Sequence, residues 1–341
     1  MILPKKSDAQ VRQSKAKMSV IVPMYNEESV IESFHSRLNA VIHSMGIHCE
    51  VIYVNDGSQD KTADLINGLT NLYYDVILLN LSRNFGKEAS MCAGLESASG
   101  DITIIIDADL QDPPELIPSM YKAWQNGADV VCMQRSKRYG ESAFKKLSAS
   151  LFYKTLNRLA NCDIPENVGD FRLLDRKVVQ ELNKLNEKNI YMKGLLAWPG
   201  FNQQIIQFER DERYSGDSKW PFKKLVGLAM DGITSFSTKP LQLATYLGFF
   251  IASSAFFYGL YIVLKTLLLG EAVSGFPTIM VALLALGGVQ LLSIGLIGSY
   301  VGRIYKEVKN RPRYIIQSQQ SRSFQESEKV VTILSNRGKE L

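Results

Sequence analysis

Residues 102–114 read ITIIIDADLQDPP, an apolar run that ends in acidic residues. Five apolar or β-branched residues follow the turn-forming pair Gly100-Asp101, and this pattern predicts a buried strand of a parallel sheet. Asp107 and Asp109 come at its end, two positions apart, so extended backbone points both carboxylates the same way. They would then meet at the carboxyl edge of the sheet, where open α/β folds bind ligands.

Two neighbouring carboxylates repel each other unless a cation compensates their charge. Two solvated aspartates in a loop would show the same pattern, because Asp-x-Asp alone is common. Gln111 after the pair and the helix start at Pro113-Pro114 favour a site for a divalent metal and a diphosphate.

Composition limits the possible partners. The 341 residues have a net charge of +5 without a long run of Lys or Arg, which argues against nucleic acid. The four cysteines stand far apart, so neither a zinc site nor a disulfide framework is expected. Residues 1–17 are polar and basic and lack the apolar segment of a cleavable signal peptide, so we expect a polar N-terminal arm there.

Two uncharged stretches near the C-terminus predict membrane-spanning helices. They run from Pro240 to Leu264 and from Ala272 to Gly302, and each exceeds the roughly 20 residues that a helix needs to cross the hydrocarbon core. We place the spans at about 241–264 and 277–302, with two buried core helices as the alternative. Basic residues flank the pair and are rare between the spans, which predicts a cytoplasmic location for the N-terminal part and for both termini.

Strand and helix patterns alternate in the N-terminal part. The predicted strands are short apolar runs at 18–24, 49–55, 76–81, 102–106 and 129–133. Helical patterns lie between them, which indicates an α/β fold with a doubly wound, mainly parallel sheet. No Gly-x-Gly-x-x-Gly follows the first strand and no Walker phosphate loop occurs, so an oxidoreductase or a P-loop enzyme is not expected.

The remaining segments lie near the predicted membrane part. Basic amphipathic patterns at 144–159 and 220–236 predict helices on a membrane surface, although the first equally fits a helix packed on the sheet. We assign 220–239 to a juxtamembrane helix and 303–341 to a basic tail. From Gln317 the tail is polar with few apolar residues, so we expect it to be poorly ordered.

Several motifs occur in a fixed order along the chain. They are VPMYNE at 22–27, NDGSQD at 55–60, RNFG at 83–86, DADLQDPPE at 107–115, GDFRL at 169–173, ERYSGDSK at 212–219, GRIY at 302–305 and RPRY at 311–314. Together they resemble family 2 glycosyltransferases of the GT-A (Rossmann-like) fold, specifically polyprenyl-phosphate glycosyltransferases such as the bactoprenol glucosyltransferases of O-antigen modification. The resemblance covers about residues 18–316 and implies a catalytic domain at 18–219. The Q-x-x-R-W motif of processive synthases is absent.

The resemblance implies a role for each matched residue. Five match positions that hold the UDP-sugar donor: Pro23, Tyr25, Glu27, Asp56 and Asp107. Three match the Asp-x-Asp-x-Gln set that holds Mg²⁺ or Mn²⁺ against the donor diphosphate: Asp107, Asp109 and Gln111. The ion would act as a Lewis acid toward the leaving UDP. Asp170 matches a position near the donor sugar, where it would position the sugar or act as a weak base. From this loop alone, a simple turn is the safer interpretation of Asp56-Gly57.

The implied acceptor is a polyprenyl phosphate in the membrane lipid. Its phosphate oxygen is already an anion at neutral pH, so it needs cations rather than a strong general base. The candidate acceptor residues are Arg135, Arg213, Ser218 and Lys219. Of these, Arg213 and Lys219 join Asp170 as candidate catalytic residues, although each cation is alternatively a solvated surface charge.

We therefore predict an integral protein of the bacterial inner membrane that transfers glucose from UDP-glucose to undecaprenyl phosphate, with inversion. No motif specifies the sugar, so aminoarabinose, mannose or N-acetylglucosamine stay open. A catalytically silent membrane scaffold is the rival from another class, although a scaffold has no physical need to keep like charges together. Glycines at 287, 288, 295 and 298 would allow close helix packing in a homo-oligomer.

Overall fold

A mixed sheet organises the first of two compact units into which the chain divides. The computed structural model describes residues 16–70, 73–135, 168–185, 187, 192–197, 199–208, 239–269 and 275–323. The strands in these ranges are β1 (Met18–Met24), β2 (Cys49–Asn55), β3 (Asp75–Leu81), β4 (Ile102–Ile105), β5 (Val130–Arg135), β6 (Val168–Asp175), β7 (Gln203–Phe208) and β8 (Ile316–Arg322). The helices are α1 (Ile31–Met45), α2 (Thr62–Gly68), α3 (Lys87–Ser97), α4 (Ile117–Gln125), α5 (Arg176–Lys184), α6 (Met192–Ala197), α7 (Lys239–Leu269) and α8 (Phe276–Val308).

The strand order is β7-β5-β6-β4-β1-β2-β3-β8. Strands β1 to β4 run parallel to one another, whereas β6 is antiparallel to both β4 and β5, and β8 is antiparallel to β3. The predicted α/β fold with a mainly parallel sheet is confirmed. Because β2 and β4 lie on opposite sides of β1, the crevice beyond the carboxyl ends of β1 and β4 is the topological switch point, where such folds bind ligands.

Helices on both faces bury the central strands. Every residue of β1 and β2 is buried, which is typical of parallel strands covered on both faces. On one face α1 contributes Phe34 and Leu38, and on the other α3 contributes Met91 and Leu95. Each such side chain contributes about 1.5–3 kcal/mol when fully buried. Helix α1 ends at Gly46, whose positive φ of 59° forms a left-handed C-cap.

The sequence patterns do not predict β6, β7 or β8. Strand β6 inserts antiparallel between β4 and β5, so the fifth strand is not the neighbour of the fourth. Its apolar run is short because Gly169, Asp170 and Arg172 interrupt it. Strand β7 reads QQIIQF and leaves several side chains exposed, and β8 is polar throughout after its first residue. Alternation of apolar residues is therefore too weak to predict these three strands.

The expectation that the tail is poorly ordered from Gln317 is wrong for the residues of β8. This strand gains its order from hydrogen bonds to the open edge of β3 rather than from apolar burial. Asn80 Nδ2 donates to Ser318 Oγ at 3.0 Å. The Arg322 guanidinium donates to the carbonyl of Leu69 at 2.8 Å and also to the carbonyl of Asn67. Composition alone cannot predict such a strand, because its order comes from pairing with β3, which lies far away in the sequence.

The second compact unit comprises α7 and α8. Within the described residues, one segment, Ala244–Ile262 of α7, has the length and composition of a membrane span, and none of it is buried as a core helix would be. Helix α8 contains the second predicted span but does not meet the same criterion on its described residues. The amphipathic helices predicted at 144–159 and 220–236 lie outside the described residues.

Candidate active site

A cleft of about 260 Å³ opens beyond the carboxyl ends of β1, β2 and β4. Its lining includes all five residues predicted to hold the donor, together with one further member of the predicted metal set: Pro23, Tyr25, Glu27, Asp56, Asp107 and Asp109. The first three follow or end β1, the fourth follows β2, and the last two follow β4. Parallel strands thus bring three separate motifs to one edge of the sheet.

The loop after β4 holds its polar side chains in a strained turn. Leu110 has a φ of 62°, in the left-handed region that a bulky residue rarely adopts. Such strain costs on the order of 1–3 kcal/mol and tends to occur at functional sites. Asp109 Oδ1 accepts a hydrogen bond from the Gln111 backbone N–H at 3.1 Å, which fixes the turn. Gln111 is 6% exposed, and its side-chain oxygen has no hydrogen-bond partner.

Lys87 at the start of α3 joins two carboxylates across the cleft. Its Nζ lies 2.6 Å from Asp107 Oδ1 and 2.7 Å from Asp107 Oδ2, and only the contact with Oδ2 has hydrogen-bond geometry. The same Nζ donates to Asp170 Oδ2 at 2.7 Å. Lys87 therefore links Asp170 to the predicted metal residue Asp107, although no sequence pattern indicates this lysine as a site residue. The one sequence signal for Lys87 is its position directly after the RNFG motif.

Burial and neighbouring charges shift two pKa values at this cluster. Burial raises the pKa of Asp107, and the carboxylates of Asp170 and Asp109 act in the same direction, while Lys87 opposes the rise. Burial lowers the pKa of Lys87, but the two carboxylates that it contacts outweigh burial, and its pKa lies above the ordinary value. The lysine is therefore a cation at neutral pH.

Asp56 binds the loop that precedes α3. Its Oδ1 accepts from the Phe85 backbone N–H at 2.8 Å, and its Oδ2 accepts from the Gly86 N–H at 2.9 Å. A Cβ on Gly57 would lie 2.5 Å from the backbone carbon of Arg83, so only glycine allows this close approach. The Asp-Gly pair is thus more than a simple turn. It joins the loop after β2 to the start of α3, where Lys87 is placed.

The predicted acceptor residues are only partly described. Arg135 ends β5, and its guanidinium lies beside Gly169, 3.6 Å from where a Cβ on that residue would be. This places it one residue from Asp170. Arg172, which the sequence analysis does not assign, is 1% exposed and donates through Nε to the Gly169 carbonyl at 3.1 Å. The other three predicted acceptor residues, Arg213, Ser218 and Lys219, lie outside the described ranges.

The residues after β4 fit a divalent cation whose coordination is completed by a diphosphate. Across the described residues, no group of three or more His, Cys, Asp or Glu could hold a metal by itself. Mg²⁺ commonly binds through one or two carboxylates plus substrate phosphates, and Asp107 with Asp109 supplies that number. Gln111 Oε1 is a buried oxygen without a hydrogen-bond partner, and Asp107 Oδ1 contacts the Lys87 ammonium at 2.6 Å without hydrogen-bond geometry. Oxygen is the ligand that such cations prefer.

Known proteins match both units of the chain. The model of Glycosyl transferase family 2 matches residues 19–182, and that of the GtrB C-terminal hairpin matches residues 239–304. The SfII prophage-derived bactoprenol glucosyl transferase of Shigella flexneri is 47% identical over 300 residues, which cover 88% of this chain and 97% of that protein. The chain belongs to glycosyl transferase family 2. The resemblance inferred from the motifs is confirmed.

A second relative is similar over nearly the whole of its own length. The prophage bactoprenol glucosyl transferase homolog of Escherichia coli strain K12 is 45% identical over 300 residues, which cover 88% of this chain and 98% of that protein. The chain is therefore a glycosyltransferase.

Among solved structures, glucosyl-3-phosphoglycerate synthase from Mycobacterium tuberculosis, in complex with Mn²⁺, UDP-glucose and phosphoglyceric acid, is 20% identical over 63% of this chain and 76% of that chain, with a TM-score of 0.43.

Proposed function

We propose that this family 2 enzyme transfers glucose from UDP-glucose to undecaprenyl (polyprenyl) phosphate, with inversion at the anomeric carbon. The observation that carries the proposal is the acidic cleft at the switch point, in a chain that matches bactoprenol glucosyl transferases over nearly their whole length. The product would be a lipid-linked phosphosugar that serves as a donor for later transfer to glycans such as O-antigen.

The donor would bind with its nucleoside against Pro23, Tyr25 and Glu27 and its diphosphate toward the loop after β4. The exposed ring of Tyr25, 43% accessible in the cleft, offers a face for the base to stack on. Asp107, Asp109 and Gln111 would hold Mg²⁺ or Mn²⁺. The bound ion would neutralise the charge that grows on the departing UDP.

The acceptor side needs positive charge rather than a base. An acceptor phosphate oxygen forms the new bond to the anomeric carbon, the bond from that carbon to UDP breaks, and its electron pair leaves with UDP. No proton has to move, which agrees with an Asp170 carboxylate paired to Lys87 rather than poised as a free base. Arg135 lies beside Gly169 and would contact the acceptor phosphate, with Arg213, Ser218 and Lys219 completing the set.

We further propose that the enzyme is integral to the bacterial inner membrane, with a catalytic domain at 18–219, a juxtamembrane helix at 220–239, two spans and a cytoplasmic tail. Support comes from the length of α7 and α8 and from the large apolar side chains that both expose. Two spans would anchor the enzyme in the same membrane that contains the polyprenyl tail of the acceptor.

Topology and assembly in the membrane are tested together. A reporter that is active only outside the cytoplasm is expected to work when fused after residue 272 and to be silent after residue 310. The reverse would contradict the proposed orientation, and equal activity at both sites would contradict two spans.

In the described chain a Cβ on Gly287, Gly288, Gly295 or Gly298 would meet no atom within 4 Å. We propose that these glycines pack against a second copy. Crosslinking in membranes that finds only monomer would contradict this assembly.

The function is tested with a panel of radiolabelled nucleotide sugars, undecaprenyl phosphate and membranes that contain the enzyme. We expect label to move from UDP-glucose into a lipid product and the transfer to stop when EDTA removes divalent cations. Membranes that contain Asp109→Ala at the same protein level are the matched control, because that variant keeps the membrane part intact.

Each other outcome has a defined meaning. Label from UDP-N-acetylglucosamine or from a mannose or aminoarabinose donor, but not from UDP-glucose, would replace the sugar and keep the acceptor. Transfer that persists in EDTA would remove the metal from the proposal. No transfer from any donor by a well-expressed enzyme would favour the membrane scaffold.

A further inference from the structure

Lys87 occupies the position in the cleft where charge compensation is most needed. Asp107 follows β4 and Asp170 lies in β6, and their side chains are 21% and 19% exposed, so their mutual repulsion is only partly screened by water. The lysine ammonium touches both, and its side chain is 42% exposed in the open cleft. It is therefore a cation in close contact with the predicted metal residue Asp107, on a side chain with room to move.

We propose that Lys87 is an exchangeable internal counter-ion, which neutralises Asp107 and Asp170 until a UDP-sugar and its divalent cation bind and then moves to the donor diphosphate. The proposal rests on the proposed function and deepens it. It makes Lys87 a donor-binding residue that couples metal binding to donor binding.

Competition for the same oxygens underlies this coupling. The Lys87 ammonium lies within 2.7 Å of both carboxylate oxygens of Asp107, so a cation arriving alone must displace it. The displaced ammonium would lose Asp107 and gain only water. When a diphosphate arrives with the cation, its oxygens offer the ammonium new acceptors at the same edge of the sheet. A lysine suits this exchange because it is a point charge on a flexible stem rather than a rigid fork.

The position of Lys87 is itself fixed by the fold. Gly86, with a φ of 100°, makes the turn into α3, and its N–H is bound by Asp56. The first residue of α3 is thus fixed relative to the loop after β2 by Asp56, a carboxylate that also lines the cleft. A donor that binds against Asp56 would therefore lie close to the residue whose ammonium has to leave Asp107.

The test measures Mn²⁺ binding to the full-length protein in detergent, with and without UDP, by calorimetry. For the wild type we expect weak binding of Mn²⁺ alone and much tighter binding with UDP. For Lys87→Met we expect Mn²⁺ alone to bind at least tenfold tighter than to the wild type, because the competitor is gone. The effect of UDP on the Mn²⁺ affinity should shrink by a similar factor, because no ammonium has to leave Asp107, and by linkage the effect of Mn²⁺ on the UDP affinity should shrink equally.

Lys87→Arg is the matched control, because it keeps the charge and should retain weak binding of Mn²⁺ alone. Lys87→Gln is a second neutral variant, and the rise of Tm on adding Mn²⁺ without UDP should be larger in both neutral variants than in the wild type. Unchanged or weaker Mn²⁺ binding in both neutral variants would overturn the proposal, since a lysine that merely orders the site gives that sign. Absence of Mn²⁺ binding to every protein with UDP would overturn it together with the metal assignment. Because UDP is common to all UDP-sugar donors, a different sugar in the transfer assay leaves this result intact.

Discussion

Asp109→Ala is expected to lower the rate of sugar transfer by a factor of about 10³ or more, since a bound cation contributes several kcal/mol to stabilising charge in the transition state. The carboxylate would be lost as a metal ligand, and the Gln111 N–H would lose the acceptor that fixes the strained turn at Leu110. The measurement is initial rates with UDP-glucose and undecaprenyl phosphate at saturating Mg²⁺. The variant should remain folded and membrane-bound, because Asp109 lies in a surface cleft and not in the apolar layers.

Asp64→Ala is the matched control for this experiment. It makes the same substitution at an exposed position of α2, outside the cleft, and should leave the rate within about twofold, as surface substitutions away from special features have small effects. Near-normal transfer by Asp109→Ala with Mg²⁺ present would refute the assignment of this carboxylate to the metal.

Asp56→Ala is expected to lower the free energy of unfolding by about 2–4 kcal/mol, because two partly buried N–H groups lose an acceptor that water replaces only in part, and each donor left without an acceptor costs roughly 1–3 kcal/mol. Asp56 is 3% exposed, and its two oxygens accept from the N–H groups of Phe85 and Gly86. The loop they hold carries Asn84 and leads to Lys87, both in the lining of the cleft. UDP affinity should therefore fall together with stability.

Hydrogen exchange tests whether Asp56 holds the loop at Phe85 and Gly86 or only contacts the bound UDP. In the wild type without UDP, the amides of Phe85 and Gly86 should be protected, and in Asp56→Ala they should exchange at rates close to those of an open loop. Asp64→Ala again serves as the control for an aspartate removed from the surface. Protection that persists in the Asp56 variant, with an unchanged Tm, would mean that the hydrogen bonds do not hold the loop.

The central strands are predictable because a strand that is buried on both faces has a nearly continuous run of apolar residues. The predicted bounds of β1 and β2 are those of the structure, since every residue of each strand is buried. By contrast, β6 carries Asp170 and Arg172 among its apolar residues, and β8 is held by its pairing with β3. Neither has a periodicity that points to a strand, because what stabilises each is a neighbour distant in sequence.

The site likewise has one part that the sequence predicts and another that it does not. The residues after β1, β2 and β4 stand in motifs, and parallel strands bring such positions to one edge by geometry alone. The bridge made by Lys87 joins residues 20 and 83 positions away, and the hydrogen bonds of Asp56 reach residues 29 and 30 positions away. No local pattern contains these contacts. They depend on the turn at Gly86 and on the insertion of β6, which become visible only in three dimensions.

The pairing of β8 with β3 also sets an order of events during synthesis. The first unit is discontinuous in sequence, because the chain leaves it for α7 and α8 and then returns to its edge strand. At roughly 5–20 residues per second, the ribosome needs on the order of ten seconds or more to extend the chain from Leu81 to Ile316. Until then the hydrogen-bonding groups on the side of β3 that later pairs with β8 face solvent or another chain, while those on the opposite side can already pair with β2. The last strand of the catalytic sheet therefore pairs only after both apolar helices have been made, so completion of the sheet follows synthesis of α7 and α8.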